Sequence, residues 1–322
     1  MKEQTTIPIS KVKRASKFVT TVVKVGGNYL KHYAKKAINQ EVSQEDLDEE
    51  NANDIYDALS ELKGSALKAA QMLSMDQGVL SKAFVDKFQM AQYSAPPLSY
   101  PLVIRTFQKQ LGKRPLDVFD TFSKNAVNAA SIGQVHQATL NGKKLAVKVQ
   151  YPGVADSVTN DLRIAKPLAA RIMNVKLSDL EPYMEEVETK LLEETDYELE
   201  LTQSIVITKL CAQLKNVIFP EYYPDYSGKR IIIMDWIDGM HLEEWLLKIP
   251  SQEQRNTIGQ ALWDFYNFQI HTLNQVHADP HPGNFLITDD LQLGVIDFGC
   301  VKVIPADFYN EYFKLIKSDT YQ

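Results

Sequence analysis

A short stretch near the C-terminal end of the chain holds the residues whose types and spacing could do chemistry. Asp279 is followed five residues later by Asn284, and an Asp-Phe-Gly triplet begins at Asp297. In phosphoryl transfer, the first aspartate positions the attacking hydroxyl or water, while the asparagine and the second aspartate hold Mg²⁺ at the nucleotide phosphates. Asp-Pro and Gly-Asn pairs are also ordinary turn residues. The joint spacing favours a phosphoryl-transfer site, with Asp279 as catalytic residue and Asn284 and Asp297 as metal ligands.

Such a site also needs a lysine that pairs with the α- and β-phosphates of the nucleotide. Lys148 stands in an Ala-Val-Lys-Val run whose apolar neighbours would bury its stem and leave its ammonium group in a cleft. No glycine-rich phosphate loop precedes it, and residues 128–134 carry Ala129 and Ala130 in the equivalent place. Alanine does not readily take the positive φ angles of glycine. We therefore expect a stiffer loop that grips the nucleotide differently, although Lys148 could also be a plain strand lysine.

The elements that must position these residues begin with a helical block. Helical periodicity marks the first hundred residues, with one helix expected from about Asn53 to Met75 and another from Val103 to Leu111. Asn141-Gly142 is a typical two-residue hairpin turn, and the segment after it reads as the strand of Lys148.

The second half of the chain returns to helix and then places short strands around the catalytic stretch. Helix is expected over 164–201 and over 251–276, with a buried strand between them at 230–236. Two short strands follow at 285–287 and 293–296. Helices and strands in segregated runs indicate an α+β fold and not a doubly wound sheet.

The strand at 230–236 also predicts where the adenine ring binds. Backbone groups of Asp235, Trp236 and Ile237 follow this buried strand at the position of the segment that joins the two lobes of a kinase. We expect these three residues to contact the base.

Together these residues resemble the UbiB-type atypical kinases, the protein-kinase-like family tied to ubiquinone biosynthesis and also called the AarF family. The resemblance runs from about Val12 to the C-terminus. Residues 128–135 are similar to the alanine-rich loop of the family, with Asn128 in place of its first alanine, and residues 146–153 to its lysine strand. His277 and His281 resemble kinase loop histidines that hold backbone or carboxylate groups, and metal ligation is the less favoured alternative for this pair. The resemblance implies a kinase-like two-lobed fold that binds ATP and Mg²⁺.

Two further motifs of the family concern access to the site. Lys68 and Gln71 stand where the family has Lys-x-Gly-Gln in its N-terminal extension, with an alanine in place of the glycine. Glu194 and Asp196 match its Glu-x-Asp motif, and by that register Glu200 is the helix glutamate that pairs with Lys148. The resemblance implies that the extension lies over the peptide-binding cleft of a kinase, with Lys68, Gln71, Glu194 and Asp196 gating the site. An acidic, solvated helix face is the alternative for the glutamates.

With the motifs placed, the expected organisation has three parts. Residues 1–122 form the helical N-terminal extension, 123–239 a kinase-like N-lobe with an acidic helical insertion, and 240–322 a kinase-like C-lobe with the catalytic and Asp-Phe-Gly loops. Only 23 residues follow Gly299, which indicates an abbreviated second lobe or a fragment of a longer protein.

Composition narrows the classes of partner and compartment. The formal charge is −6 and the pI about 5.6, which argues against a nucleic-acid binder. The two cysteines are too few for a disulfide framework or a thiolate metal site, so a reducing compartment fits. No secretory signal and no run of about eighteen apolar residues is present. We expect a cytoplasmic protein, with peripheral attachment to the inner membrane surface left open.

The net charge hides a strongly basic arm. Residues 1–40 carry nine basic residues and one acidic residue, whereas residues 41–60 carry eight acidic residues and no basic one. A lysine-rich amphipathic segment can lie on an anionic membrane surface. Equally, it can be a solvated helix that packs its valines on the rest of the fold, and the sequence leaves both open.

The function expected from these features is an Mg²⁺-dependent ATPase or atypical kinase that supports isoprenoid quinone or lipid metabolism at the membrane. Its partners would be a nucleotide, an anionic membrane surface and an isoprenoid or quinone-like lipid. Two alternatives stay open. One is a pseudokinase that changes its affinity for partners when it binds nucleotide. The other is a true protein kinase, which would need an open peptide groove.

Overall fold

The computed structural model describes residues 11–38, 43–62, 64–75, 81–89, 97–129, 132–173, 175–278 and 281–315. The chain divides into two compact units. The first comprises residues 1–196 with 228–231, and the second residues 197–227 with 232–322.

Helices make up most of the first unit. They are α1 (Lys11–Ala37), α2 (Gln44–Leu62), α3 (Ser65–Met75), α4 (Lys82–Gln89), α5 (Tyr100–Leu111), α6 (Val154–Ile172) and α7 (Leu177–Glu194). One hydrophobic core is formed by the four helices α1, α2, α3 and α4, and apolar side chains of α6 pack against it. A second core joins α3, α6 and α7. The helix α5 ends at Gly112, whose left-handed backbone lets its N–H bond back to the Gln108 carbonyl.

Helix α1 buries one face along its whole length. The buried residues are spaced alternately by four and three positions: Arg14, Phe18, Thr21, Val25, Asn28 and His32. This spacing keeps one stripe turned inward on a helix with 3.6 residues per turn. No helix in the described ranges is both long and apolar enough to cross a membrane.

A single glycine divides the helix that periodicity predicts over 53–75. Gly64 has φ +71° and separates α2 from α3. A side chain there would collide with Val154 on α6. The apolar stripe continues through the break, which is why periodicity alone reads one helix where two are present.

The sheet of the first unit is antiparallel and carries the predicted lysine strand. Its strands are β1 (Thr121–Phe122), β2 (Asn128–Ala129), β3 (Gly133–Leu140) and β4 (Lys143–Gln150). The central strand β3 pairs with each of the other three. Asn141 and Gly142 both have positive φ, 52° and 79°, so the predicted hairpin turn is confirmed.

The second unit combines helices with short strands. Its helices are α8 (Tyr197–Cys211), α9 (Leu242–Leu247), α10 (Gln252–Phe268) and α11 (Ala306–Lys314). Its strands are β5 (Val217–Ile218), β6 (Ile231–Asp235, whose first residue belongs to the first unit), β7 (Met240–His241), β8 (Gln275–His277), β9 (Phe285–Ile287), β10 (Leu293–Val295) and β11 (Val301–Val303).

Two small sheets lie on either side of the predicted catalytic stretch in this unit. One has the order β5-β10-β9-β7, and β8 pairs separately with β11. An apolar core fills the space between these strands and the helices α8 to α10. The stretch between β8 and β11 is therefore pinned at both ends by β pairing.

Candidate functional site

Asn284 and the Asp-Phe-Gly triplet lie side by side in the second unit. The backbone N–H of Ile296, next to Asp297, donates to the Asn284 carbonyl at 3.1 Å. A 3₁₀ turn at Pro282–Asn284 precedes β9, and the His281 ring nitrogen accepts the Gly283 N–H at 3.0 Å. Asp279 lies outside the described residues, so its role stays a prediction.

His277 fixes the backbone of Asp297. Its Nε2 lies 2.7 Å from the Asp297 carbonyl oxygen. A carbonyl can only accept, so Nε2 carries the proton and donates. The Ala278 N–H donates to the Cys300 carbonyl at 2.8 Å, which extends the β8–β11 pairing. The expectation that His277 holds the backbone is confirmed.

The triplet itself is anchored in the core and borders a second carboxylate. Phe298 is completely buried, and Asp297 Oδ1 accepts the Gly299 N–H at 2.8 Å. A methyl group placed on Gly299 would lie 3.4 Å from Oε2 of Glu200, which is itself buried on α8. The Glu200 and Asp297 carboxylates therefore lie close together, and the Asn284 backbone is joined to the residue before Asp297. Carboxylate and amide oxygens are the donors that Mg²⁺ prefers.

Gln269 is a supporting residue that the sequence does not reveal. The helix predicted over 251–276 ends as α-helix at Phe268 and continues as a π-helical turn, Gln269–Leu273. This turn places the buried Gln269 amide so that its oxygen accepts the His277 N–H at 2.9 Å and its nitrogen donates to the Phe265 carbonyl at 3.2 Å. Hydrophobic periodicity carries no signal for a π-helical turn.

The first unit places the predicted lysine on β4. Lys148 is half-buried and lies opposite Val135 of β3, and its neighbours along the strand, Val147 and Val149, are buried. Ala129 lies on β2, whereas Ala130 lies outside the described residues. Lys148 and Glu200 belong to different units, so their pairing stays a prediction.

Lys68 and Glu194 form an ion pair in this unit. Lys68 Nζ lies 3.0 Å from Glu194 Oε1, and both side chains are more than four-fifths buried. Asp196 follows the end of α7 and is exposed. The side chain of Gln71 lies outside the described part of the chain. The structure thus joins two members of the predicted gate.

A second pair of buried polar residues lies on β3, next to the alanine loop. Gln134 accepts the Leu98 N–H at 2.7 Å and donates to His136 Nε2 at 2.8 Å. His136 Nδ1 in turn donates to the Ser123 carbonyl at 2.8 Å. This assigns a neutral His136, because one ring nitrogen accepts and the other donates. Burial lowers the pKa of His136 below its usual value.

The predicted adenine-binding residues border a cavity of about 450 Å³ in the second unit. Asp235 accepts a hydrogen bond from the Tyr223 hydroxyl at 2.7 Å, and the Trp236 indole donates to Asp238 at 2.9 Å. Ile237 also lines the cavity. Contact of these residues with adenine stays a prediction.

These features define a kinase-like protein of mixed helix and strand: a strand lysine, an alanine-rich loop and a His-anchored Asp-Phe-Gly turn with a neighbouring glutamate. Its family follows from comparison with known proteins. The chain belongs to the ABC1 atypical kinase-like family, whose domain model matches residues 90–321. Relatives in this family are named COQ8 and AarF domain-containing kinases, in agreement with the resemblance to UbiB and AarF proteins.

Two curated relatives illustrate the similarity. The atypical kinase COQ8, mitochondrial, of Saccharomyces cerevisiae is 32% identical over 84% of this chain and 54% of its own length. An uncharacterized aarF domain-containing protein kinase, chloroplastic, of Arabidopsis thaliana is 34% identical over 77% of this chain and 35% of its own length. The chain thus spans between about one third and three fifths of the curated relatives it matches.

A solved structure shares the fold. A Mycobacterium tuberculosis protein, determined in complex with erythromycin, is 32% identical and superposes with a TM-score of 0.54. The match covers 81% of this chain and 66% of that one.

Proposed function

We propose that this atypical kinase binds ATP with Mg²⁺ and cleaves or transfers the γ-phosphate in support of isoprenoid quinone or lipid metabolism. The observation that carries the proposal is the histidine-anchored turn of Asp297, which lies beside the buried Glu200 carboxylate and is bonded to the Asn284 backbone through Ile296. The protein kinase-like family supports ATP as the nucleotide. The resemblance to ubiquinone-biosynthesis kinases supports the quinone or lipid context.

Each residue has a defined part in this proposal. Asn284 and Asp297 would hold Mg²⁺, which when bound neutralises phosphate charge. Lys148, held by Glu200, would orient the α- and β-phosphates. Asp279 would position the nucleophile.

The remaining contacts complete the proposed site. The alanine loop at Ala129 and Ala130 and the backbone of 235–237 would bind the nucleotide. Lys68, Gln71, Glu194 and Asp196 would restrain access to it. This arrangement favours a small or lipid-borne acceptor, or water, over a protein.

The test compares nucleotide binding and turnover in the wild type, Lys148→Ala and Asp297→Asn. Controls of matched chemistry are Lys144→Ala, exposed on the same strand, and Asp225→Asn, exposed in the second unit. We expect both site variants to lose at least about a hundredfold in turnover, since each removes several kcal/mol of electrostatic stabilisation. The controls should match the wild type.

The assay is run with Mg²⁺, with and without anionic liposomes and a quinone-like additive. Absence of ATP hydrolysis by the wild type in every condition would overturn the enzymatic proposal. ATP binding without turnover would indicate the pseudokinase instead. Phosphorylation of a generic protein substrate would indicate a protein kinase, and Ala70→Gly would then test the gate.

We further propose that α1 attaches the protein to an anionic membrane surface. Its outward face, opposite the buried stripe, carries four large apolar residues that are 61–79% exposed: Val12, Val19, Val23 and Leu30. Lysines 13, 31 and 35 are exposed on one side of this face. An apolar stripe beside lysines suits the boundary between lipid headgroups and acyl chains.

The flotation test uses point variants, because deleting the arm would also remove Arg14 and Phe18 from the core. Val19→Asp with Val23→Asp should abolish flotation with vesicles that contain anionic phospholipid. Leu247→Asp, at an apolar residue that is 82% exposed in the second unit, is the control. Equal flotation of the double variant and the wild type would refute attachment through α1.

A further inference from the structure

The strand that carries Lys148 ends in a glutamine with an unusual environment. Gln150 lies two residues after Lys148, so both side chains project from the same face of β4. Gln150 is completely buried, and its Nε2 donates to the Thr195 carbonyl oxygen at 2.7 Å. This bond joins β4 to a residue 45 positions away in the chain.

Thr195 is the middle residue of the predicted Glu-x-Asp motif. It follows the end of α7 and is buried between Glu194 and Asp196. Glu194 forms the ion pair with Lys68 of α3. One hydrogen bond and one ion pair therefore connect β4, through the end of α7, to α3.

The stability of the fold does not explain why a glutamine occupies this position. Gln150 Oε1 is buried, and no described residue forms a hydrogen bond with it. A buried acceptor without a partner costs about 1–3 kcal/mol. Methionine would fill a similar volume without that cost. What the glutamine supplies and methionine cannot is the N–H bond to Thr195.

We propose that Gln150 is a positioning residue that fixes residues 194–196, the corner at the end of α7, relative to the strand of Lys148. Through this corner, α3 of the N-terminal extension is coupled to the nucleotide site. The coupling to nucleotide rests on the proposed ATP-binding function, whereas the coupling between β4 and α3 does not.

The first experiment needs no nucleotide. Hydrogen exchange of the α3 amides is compared between the wild type, Gln150→Met and the control Gln137→Met, a half-buried glutamine on β3. In Gln150→Met, the α3 amides should exchange about tenfold faster, as loss of one buried hydrogen bond allows. The melting temperature should stay within about 2 °C of the wild-type value, because the substitution also removes the unpaired Oε1 of Gln150. Unchanged α3 exchange would overturn the proposal, and so would a general rise in exchange with a lower melting temperature.

The second experiment is a double-mutant cycle on the dissociation rate of Mg²⁺-ATP. Gln150→Met and Glu194→Gln should each accelerate dissociation about tenfold, and the double variant should be no faster than either one. Additive effects would overturn the proposal, because the two residues would then act independently. If the wild type binds no ATP, the proposed function fails, and the exchange experiment alone decides the coupling.

Discussion

A buried ion pair between α1 and α6 provides the sharpest prediction about the N-terminal extension. Arg14 is 3% exposed and Asp161 is fully buried. The guanidinium donates twice to this carboxylate, with Nε at 2.8 Å from Oδ1, and once to the Leu62 carbonyl at 2.8 Å. The Ser65 hydroxyl donates to the other carboxylate oxygen at 2.6 Å. The network thus joins α1, α3, α6 and the end of α2.

Removing one partner of this pair should destabilise the first unit strongly. Arg14→Ala leaves the Asp161 charge buried without its counter-charge, which typically costs about 3–5 kcal/mol. For a unit of roughly 200 residues, each kcal/mol corresponds to about 2–4 °C. We therefore expect the melting temperature of the first unit to fall by about 6–20 °C.

The double variant Arg14→Met with Asp161→Leu supplies the control. It removes both charges and fills a similar volume with apolar groups, so it should recover most of the lost stability. All three tryptophans, Trp236, Trp245 and Trp263, lie in the second unit. Far-ultraviolet circular dichroism should therefore report the change in the first unit, with tryptophan fluorescence as the internal reference.

Two results would refute the reasoning on the ion pair. The first is a loss of less than about 3 °C in Arg14→Ala, because the pair would then contribute no more than a surface ion pair does. The second is a double variant no more stable than the single one, because the loss would then come from packing and not from the uncompensated charge.

Three further predictions follow from single positions. Burial holds the pKa of His136 below that of the unfolded chain. The neutral His136 therefore contributes to the stability of the fold above the unfolded pKa near 6.5, and this contribution is lost as the pH falls. Between pH 7 and 5.5, thermal melts should show that the free energy of unfolding falls by at most about 1.4 kcal/mol per pH unit. The fall should be smaller in His136→Gln. Gly64→Ala should cost about 1–3 kcal/mol in denaturant unfolding, because it combines positive φ with a collision at Val154, and Val154→Ala should restore part of it. Gly299→Ala places a methyl group 3.2 Å from Asp297 Oδ1, so it should weaken Mg²⁺-ATP binding without lowering the melting temperature appreciably, as titration calorimetry would show.

Local signals in the sequence identify elements better than they identify boundaries. Asn141-Gly142 predicts the hairpin because two adjacent residues suffice to form its turn. The break at Gly64 is missed because it depends on the backbone and on Val154 of α6, which is distant in sequence. The π-helical turn that starts at Gln269 is missed because hydrophobic residues recur across it with nearly helical spacing.

In the candidate site, too, local sequence signals predict some residues, whereas contacts between residues distant in the chain are seen only in the structure. The spacing of Asn284 and Asp297 indicates their proximity, since Asn284 directly precedes β9, Asp297 closely follows β10, and these two neighbouring strands pair antiparallel. The hydrogen bond from Gln150 to Thr195 has no local signal, because it joins residues 45 positions apart. Glu194 and Lys68 are found through motifs and not through geometry, and only the structure shows that they touch.

Ion pairs within the chain reduce the positive charge that the N-terminal arm presents to a membrane. Residues 1–40 carry nine basic residues and residues 41–60 carry eight acidic ones. Arg14 is buried against Asp161, and Lys24 lies 2.6 Å from Asp54 on α2. Part of the positive charge is therefore compensated within the chain. A membrane contact of α1 must then depend more on its outward apolar stripe than on the total charge. Flotation should respond more to the aspartate variants at Val19 and Val23 than to added salt, which screens exposed lysines but not buried apolar area.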